Sequence, residues 1–391
     1  MSRNSRTESR SLRIAVASSG LGHVARGVEA WADDLASALH RMGQNVTLYQ
    51  GGGRGTSEWR VVLPCGKRTD ANVQRWVRYL RGLGGWRYGA GSAYEAEQTT
   101  FAFHLWLRVR DDFDILHVQD PWIAYWLGLL HKARISKPRV ILAAGTGESL
   151  ESLRRYPVLQ LLAPCYAADY ERYKRPSQMV FTIPNFVDTT HFCEGDQRLA
   201  RKIWNLPQDA LIVLCAAAMN SRYKRVDYLI REFAEFSTNA SRPLLLVIAG
   251  AREAETDEIL SLGHQLLPGH VRFFENVPRS NMPSLYQAAD VFSLPALNEV
   301  FGIVILEALA SGLPVACSKT PVLEWIVGKA GCVANISQPG GLSAQLHCIT
   351  RPNPENRFSQ AARPQVLERF SEAAVIPKVL TMYDEVTRWS A

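Results

Sequence analysis

Short apolar runs and segments of helical periodicity alternate along the first half of the chain. Residues 12–19 (LRIAVASS) form a buried run, and residues 27–43 then place apolar side chains at helical spacing before a stop at Gly43. The next apolar run, residues 45–50, is too short for a helix. Strand, helix and strand in this order are typical of a parallel sheet covered by its crossover helix. Further runs, such as residues 114–119, continue the alternation.

The alternation restarts in the second half of the chain. A long apolar run, ALIVLCAAAMN, predicts a buried strand, and the segment after Asp227 has helical periodicity. Later apolar runs lie at residues 244–251, 271–277, 291–295 and 315–318. We therefore predict the α/β class, with two Rossmann-like, doubly wound domains facing a central crevice.

The domain boundaries follow from these two halves. We assign residues 13–190 to the first domain and residues 191–370 to the second, after a disordered basic tail at residues 1–12. Residues 371–391 have helical periodicity and form a final helix. A length of 391 residues suits two domains of ordinary size.

Composition narrows the class of protein. No apolar run is long enough to span a bilayer, and the N-terminal residues lack the apolar core of a secretory signal. Seven scattered cysteines without a C-x-x-C pair favour reduced thiols in a cytoplasmic protein and argue against zinc. The net charge of +7 favours an acidic partner, such as a nucleotide, a nucleic acid or an anionic membrane.

The segment NEVFGIVILEALASGLPV, residues 298–315, carries the strongest chemical signal. Two glutamates, Glu299 and Glu307, are separated by seven residues. The pattern becomes helical at Ile303, so Glu299 lies where the first helical N–H groups have no intrahelical partner. Gly302 has no Cβ and lets a ligand approach the backbone. Two carboxylates so far apart suit one elongated ligand, such as a sugar and a ribose joined by a diphosphate.

This segment resembles the E-x7-E signature of retaining glycosyltransferases of family 4, which have the two-domain GT-B fold. The resemblance implies that Glu299 lies beside the transferred sugar and that Glu307 binds the ribose hydroxyls. It also implies that the backbone at Phe301, Gly302 and Ile303 contacts the donor, and that the final helix crosses back onto the first domain. An exposed glutamate before an ordinary amphipathic helix is the plain alternative.

Two further segments of the second half resemble donor-binding segments of that family. In AMNSRYKRVDYLI, Lys224 matches the lysine that binds the donor diphosphate. Met219 stands where the family has an arginine, so Arg222 or Arg225 is expected to supply that charge. Val277, in FFENVPRSNMP, is expected near the base. A solvated basic loop remains the alternative for the first segment.

The glycine loop GLGHVARGVE, residues 20–29, does not fit the G-x-G-x-x-G dinucleotide fingerprint. The second strand also ends without an acid that would bind an NAD ribose. The loop resembles the family's glycine loop, with a G-x-E element, and an ordinary strand–helix turn is the alternative. The residues assigned to the donor or acceptor here are Gly20, Gly22, His23, Gly27 and Glu29.

Polar residues follow two buried strands of the first half. His117 and Gln119 lie at the end of one strand, where ligands bind in such sheets. The family has a second histidine at the position of Gln119, and glutamine cannot shuttle a proton. A catalytic and a structural role for His117 are equally open. Glu148 lies in a loop that faces the cleft in that family, and simple capping of the next helix by Ser149 or Thr146 is the alternative.

Residues 75–88 combine arginines with aromatic and leucine residues at helical spacing, which include Trp76 and Tyr79. Between Arg54 and Arg110, ten basic residues against four acidic ones leave a charge of +6. This pattern suits an anionic membrane surface or an acceptor with a phosphate or carboxylate. Packing of a plain helix on the first domain is the alternative.

The sequence thus predicts a retaining hexosyltransferase that is cytoplasmic or peripheral at the inner face of the plasma membrane. The donor would be a UDP- or GDP-sugar, the acceptor a glycan or a lipid-linked molecule, and neither a metal nor a cofactor is expected. A nucleotide-sugar epimerase of the same fold, a non-catalytic nucleotide-sugar binder and a nucleic-acid-binding protein remain alternatives, although no nucleic-acid module is recognisable.

Overall fold

A computed structural model describes residues 11–24, 26–55, 57–238, 242–351 and 357–389. The basic tail predicted at residues 1–12 therefore lies almost wholly outside the described residues. The chain divides into two compact units. The N-terminal unit extends to Ile183 and includes the segment from Ile376 onward, whereas the C-terminal unit comprises Pro184–Val375.

The N-terminal unit contains a seven-stranded parallel sheet in the order β3-β2-β1-β4-β5-β6-β7. Val16, on the third strand of this order, pairs with Leu48 on one side and His117 on the other. The strands are β1 (Arg13–Ser18), β2 (Asn45–Gln50), β3 (Arg60–Val62), β4 (Ile115–Val118), β5 (Arg139–Ala144), β6 (Val158–Leu161) and β7 (Met179–Thr182). The strand order reverses between β1 and β4, which is where ligands bind in such sheets.

Helices cover this sheet, and several of them begin at a capping residue or a proline. Asp70 and Ser92 cap two of them by accepting hydrogen bonds from backbone N–H groups, and Pro121 opens a third. Phe101 and Leu105 are among the side chains that these helices bury against the sheet. The helices are α1 (Gly27–Arg41), α2 (Ala71–Arg81), α3 (Ala93–Val109), α4 (Pro121–Lys132) and α5 (Pro164–Tyr170).

The C-terminal unit also contains a parallel sheet, which has six strands in the order β10-β9-β8-β11-β12-β13. Val213 pairs with both Leu246 and Val291, so the strand order reverses between β8 and β11. The strands are β8 (Leu211–Ala216), β9 (Leu244–Gly250), β10 (Val271–Glu275), β11 (Val291–Leu294), β12 (Val315–Ser318) and β13 (Gly331–Ala334). The helices are α6 (Gln197–Ile203), α7 (Val226–Ser237), α8 (Thr256–Leu266), α9 (Met282–Ala288), α10 (Ile303–Ala310), α11 (Pro321–Val327), α12 (Gly341–Thr350) and α13 (Arg357–Arg369).

The last helix, α14 (Glu372–Arg388), begins in the C-terminal unit and continues into the N-terminal unit. Tyr383 is fully buried, and its hydroxyl lies 2.8 Å from Nδ1 of His117. Arg139 donates a hydrogen bond to the carbonyl of Trp389. The predicted α/β architecture with two Rossmann-like units and a returning final helix is confirmed. None of the described helices is both long and apolar enough to cross a membrane.

Candidate functional site

The segment with the two glutamates forms a loop and a helix after β11. Gly302 directly precedes α10 and has a φ of +85°, a left-handed conformation that side chains with a Cβ rarely adopt. A Cβ at this position would also lie 3.3 Å from Cγ of Glu299. Phe301 is buried between the rings of Trp325 and Phe370. The loop is therefore anchored by an aromatic side chain beside a backbone position that only glycine suits.

Lys224 and Glu299 form an ion pair in the C-terminal unit. Nζ of Lys224 donates to Oε2 of Glu299 at 2.6 Å, and both side chains keep some exposure. Oδ1 of Asn220 accepts hydrogen bonds from the backbone N–H groups of Tyr223 and Lys224, which fixes the loop before α7. The sequence did not single out Asn220, because its role depends on the path of the loop.

The other basic residues of this loop point to different partners. The guanidinium of Arg222 lies over the ring of Tyr223, and that of Arg225 lies over the ring of Tyr228. Met219, at the position where the family has an arginine, is fully buried in the core of the unit. Of the three basic candidates, Lys224 is the one paired with Glu299.

Glu307 is almost fully buried on α10. Its carboxylate accepts hydrogen bonds from Nη2 of Arg279 at 3.1 Å and from the hydroxyl of Tyr286 at 2.8 Å. These donors hold the carboxylate in place on the helix. Val277 is half-buried two residues before Arg279. The sequence did not identify Arg279 or Tyr286 as partners of this glutamate.

A polar cluster surrounds the glycine loop in the N-terminal unit. Arg68 donates from Nε and Nη2 to Glu97 at 3.0 and 2.6 Å and also reaches Glu29 at 3.3 Å. Nε2 of His23 lies 2.9 Å from the same Glu97 carboxylate. A Cβ on Gly20 would lie 2.1 Å from Oε1 of Glu29, so a larger residue there would displace the Glu29 carboxylate.

Burial and charge shift the carboxyl groups of this cluster in opposite directions. Burial raises the pKa of Glu29, although the Arg68 guanidinium opposes that effect. The pKa of Glu97 is lowered because hydrogen bonds from Arg68 and His23 outweigh its burial. Gly22 adopts a positive φ, and Gly27 opens α1. Arg68 and Glu97 were not identified from the sequence, since they lie outside the glycine loop.

His117 and Gln119 are both buried at the end of β4. The His117 ring packs edge-on against Trp31 and Tyr383, and burial lowers its pKa to about 3. The ring is therefore neutral at physiological pH. These surroundings favour a structural role for His117 over a catalytic one. Gln119 lies against Gly145, where a Cβ would meet its amide at 2.6 Å.

Two carboxyl groups at neighbouring strand ends have strongly raised pKa values. Burial raises the pKa of Asp120, whose oxygens accept hydrogen bonds from Ser19, to about 7. Burial also raises the pKa of Glu148 to about 7, and the hydroxyl of Thr146 donates to it. Carboxyl groups of this kind are candidates for proton transfer or for binding hydroxyls near neutral pH. In the described part of the chain, no three histidine, cysteine or acidic side chains are grouped to hold a metal ion.

Comparison with known proteins finds a match for most of the C-terminal unit. Residues 196–363, which contain Lys224, Arg279, Glu299 and Glu307, match the family model for the group 1 glycosyl transferases. This part of the chain is therefore similar to that family. It is 32% identical over 171 residues to a D-inositol 3-phosphate glycosyltransferase of Catenulispora acidiphila, covering 41% of this chain and 40% of that protein. The chain spans well under half of the length of the first curated relatives it matches.

Solved structures resemble nearly the whole chain, at the level of the fold. Sucrose-phosphate synthase from Thermosynechococcus elongatus has a TM-score of 0.74 at 19% identity, over 96% of this chain and 99% of that one. HepE from Anabaena, solved with UDP and glucose, has a TM-score of 0.69 at 13% identity, over 96% and 100%. The predicted GT-B fold is therefore confirmed.

Proposed function

We propose that the protein is a retaining hexosyltransferase. It takes a hexosyl group from a UDP- or GDP-sugar and transfers it to a hydroxyl of a glycan, a lipid-linked molecule or another acceptor, as in polysaccharide or glycoconjugate synthesis. The observation that carries this proposal is the arrangement of Glu299, Lys224 and Glu307 around the start of α10. The family match of this unit and the UDP bound to HepE support a nucleotide-sugar donor.

Each of these groups has a distinct part in the proposed reaction. Glu307, held by Arg279 and Tyr286, accepts hydrogen bonds from the donor ribose. Lys224 stabilises the negative charge that develops on the departing diphosphate. The backbone at Phe301, Gly302 and Ile303 adds N–H groups at the helix start, where no intrahelical acceptor is available. Glu299 orients Lys224 and contacts the transferred sugar.

Retention of the anomeric configuration follows in this proposal from attack on the face that the diphosphate leaves. The leaving phosphate takes the acceptor proton, so no separate general base is needed. Side-chain and backbone charges of the protein stabilise the leaving group, and the proposed reaction has no step that uses a metal ion. The geometry of Glu299, Glu307 and Lys224 supports these proposals about retention, proton transfer and stabilisation of the leaving group.

Donor binding is the first test. Calorimetric titration of UDP, GDP and their sugar conjugates should give tight binding of one nucleotide series to the wild type. Glu307→Gln should weaken that binding at least tenfold, since the variant loses the acceptor charge that the ribose hydroxyls need. Glu324→Gln, a half-exposed glutamate on α11, is the matched control and should bind as the wild type does.

Product analysis separates the proposal from its alternatives. Transfer with retention should appear as a new α- or β-linked product whose anomeric configuration matches the donor. An epimerised donor formed without any acceptor would favour a nucleotide-sugar epimerase, and donor binding without turnover would favour a non-catalytic binder. Salt-dependent binding to DNA or RNA, with no nucleotide binding, would overturn the proposal.

We also propose that the surface formed by residues 75–88 contacts an anionic membrane. Five large side chains there are between 51% and 72% exposed, namely Trp76, Tyr79, Leu83, Trp86 and Tyr88. Val77 is the buried residue of α2, so little of this helix is used in packing. Arginines interleaved with exposed tryptophan and tyrosine suit a headgroup interface.

A further inference from the structure

Two adjoining cavities lie in the N-terminal unit, beside the carboxyl ends of β4 and β5. The lining of the first, here called the aromatic cavity, includes Tyr94, Glu95, Gln98, Trp122, Tyr125 and Glu148. The second, here called the arginine cavity, is lined by Ser149, Glu151, Arg154 and Arg175. Ser152 and Arg155 line both. The shared residues make the two cavities neighbours, at the edge of the sheet where ligands bind in this class of fold.

The aromatic cavity contains a buried donor that lacks an acceptor. Gln98 is fully buried, and its Oε1 accepts a hydrogen bond from the backbone N–H of Trp122 at 2.9 Å. Its Nε2 meets no hydrogen-bond acceptor among the described residues. A buried N–H group without a partner is costly, and most such groups are satisfied. A ligand hydroxyl in this cavity would supply the missing acceptor.

The other walls of the aromatic cavity also suit a polyhydroxylated ring. Aromatic rings cover the apolar faces of a ligand, and a few polar groups fix its orientation. The Glu148 carboxyl has a pKa raised to about 7 by burial, so near neutral pH it both donates to and accepts from hydroxyls. The cavity measures about 240 Å³, many times the roughly 10–15 Å³ that one water occupies. It has room for a ring, not merely for an ion or a water.

The arginine cavity has a different chemistry. Arg154, Arg155 and Arg175 face a single acidic residue, Glu151, which leaves a formal charge of +2. Guanidinium groups bind phosphate and carboxylate through paired N–H donors, and the hydroxyls of Ser149 and Ser152 add further donors. This end of the joined cavities is complementary to an anionic group.

We propose that the joined cavities are the acceptor site and that the acceptor is a polyhydroxylated ring carrying an anionic group. The ring lies in the aromatic cavity against Gln98 and Glu148, and the phosphate or carboxylate lies in the arginine cavity against Arg155. The term acceptor rests on the proposed transferase function, whereas the binding chemistry rests on the cavities themselves.

Binding of matched pairs of probes tests this inference. Glucose, glucose 6-phosphate, glucuronate, myo-inositol and myo-inositol 1-phosphate are titrated into the full chain by calorimetry, with and without saturating UDP. At least one anionic probe should bind tenfold or more tightly than its uncharged parent. Arg155→Gln should remove most of that preference. Arg172→Gln, an exposed arginine that lines neither cavity, is the matched control and should keep it.

Substitution of the buried amide gives a second readout. Gln98→Leu should weaken the binding of anionic and uncharged probes by the same factor, because it acts on the ring and not on the anionic group. Equal binding of every anionic probe and its parent, or an unchanged preference in Arg155→Gln, would overturn the inference. If the wild type bound the anionic probes but not UDP, the result would instead count against the donor site. The two failures are therefore distinguishable.

Discussion

At the scale of single residues, the contact between Lys224 and Glu299 is the most direct link between structure and proposed chemistry. Lys224→Met should lower kcat by about 10²–10³-fold, since removal of one preorganised donor to a developing negative charge has an effect of this size. Steady-state kinetics of the wild type and the variant check this. Lys202→Met, which removes an exposed lysine on α6, should leave kcat within twofold. A Lys224→Met enzyme of normal kcat would exclude the lysine from the reaction.

Asp120 is predicted to make stability depend on pH. Its pKa is about 7 in the folded chain, against an ordinary value of 3.8, so the folded state binds more protons than the unfolded state between these limits. The free energy of unfolding therefore falls as pH rises through this window and levels off above it. Because one pKa unit corresponds to about 1.4 kcal/mol, the fall attributable to this group is a few kcal/mol.

Urea denaturation between pH 4 and pH 8.5 measures the effect of Asp120. The Asp120→Asn variant should lose less stability over this range than the wild type, while Glu148, with a shift of the same sign, still contributes. Parallel curves for the two proteins would show that Asp120 is ionised throughout.

Residues that lie inside local motifs can be recognised from the sequence. Glu299 and Glu307 were noticeable from their spacing within a short segment, whereas Lys224 was identified through the resemblance of its loop to a donor-binding segment of family 4. Arg279 was not, since its contact with Glu307 depends on how β10, α9 and α10 pack. The same holds for Arg68 and Glu97, 29 positions apart, whose pairing needs the tertiary fold.

At the scale of elements, α10 depends on the left-handed glycine that precedes it. Gly302→Ala should destabilise the protein by about 1–2 kcal/mol, the usual penalty of this conformation for a residue with a Cβ. The new Cβ would also press on Glu299, so UDP binding should weaken. Chemical denaturation and calorimetry measure the two effects.

Gly269 provides a matched control for Gly302. It has a φ of +79°, and a Cβ there would meet no atom within 4 Å. Gly269→Ala should therefore lose similar stability without a change in UDP affinity. Equal losses of affinity in both variants would mean that general destabilisation, and not the position of Gly302, governs donor binding.

The exposed face of α2 leads to a prediction about membranes. The wild type should co-sediment with vesicles that contain phosphatidylglycerol, but not with pure phosphatidylcholine, and the binding should weaken as salt screens the charges. Arg78→Glu combined with Arg81→Glu should abolish it. Arg172→Glu combined with Lys174→Glu changes the net charge equally at exposed sites elsewhere and should leave binding largely intact.

Most strands of both sheets were predicted as apolar runs, but β3, β6 and the four-residue β13 (Gly331–Ala334) were not. β3 has only three residues, Arg60–Val62, which is too short to show a periodicity. β6 (Val158–Leu161) includes the polar Gln160, whose amide donates to the carbonyl of Ile183 inside the protein. A buried polar side chain with its own partner breaks the apolar pattern without breaking the strand.

At the scale of the whole molecule, the return of α14 joins the end of the chain to the N-terminal unit. Tyr383→Ala should destabilise that unit by about 3–5 kcal/mol, as expected for a fully buried aromatic side chain. Tyr383→Phe should cost about 1–3 kcal/mol, because it leaves Nδ1 of His117 without this partner. Urea unfolding followed by tryptophan fluorescence gives both values. Wild-type stability in Tyr383→Ala would show that the helix adds little to the unit.

The same helix has a consequence for how the protein is made. Tyr383 and His117 are 266 positions apart, so at about 5–20 residues per second the ribosome needs tens of seconds to supply the partner. Throughout that time the nascent N-terminal unit lacks the apolar face of α14, formed by Ile376, Val379, Met382, Tyr383 and Val386. The C-terminal unit, which is continuous in sequence, has all its own strands before then. The second half to be translated is thus the first that can complete its fold, and the first half waits with an uncovered apolar surface that chaperones recognise.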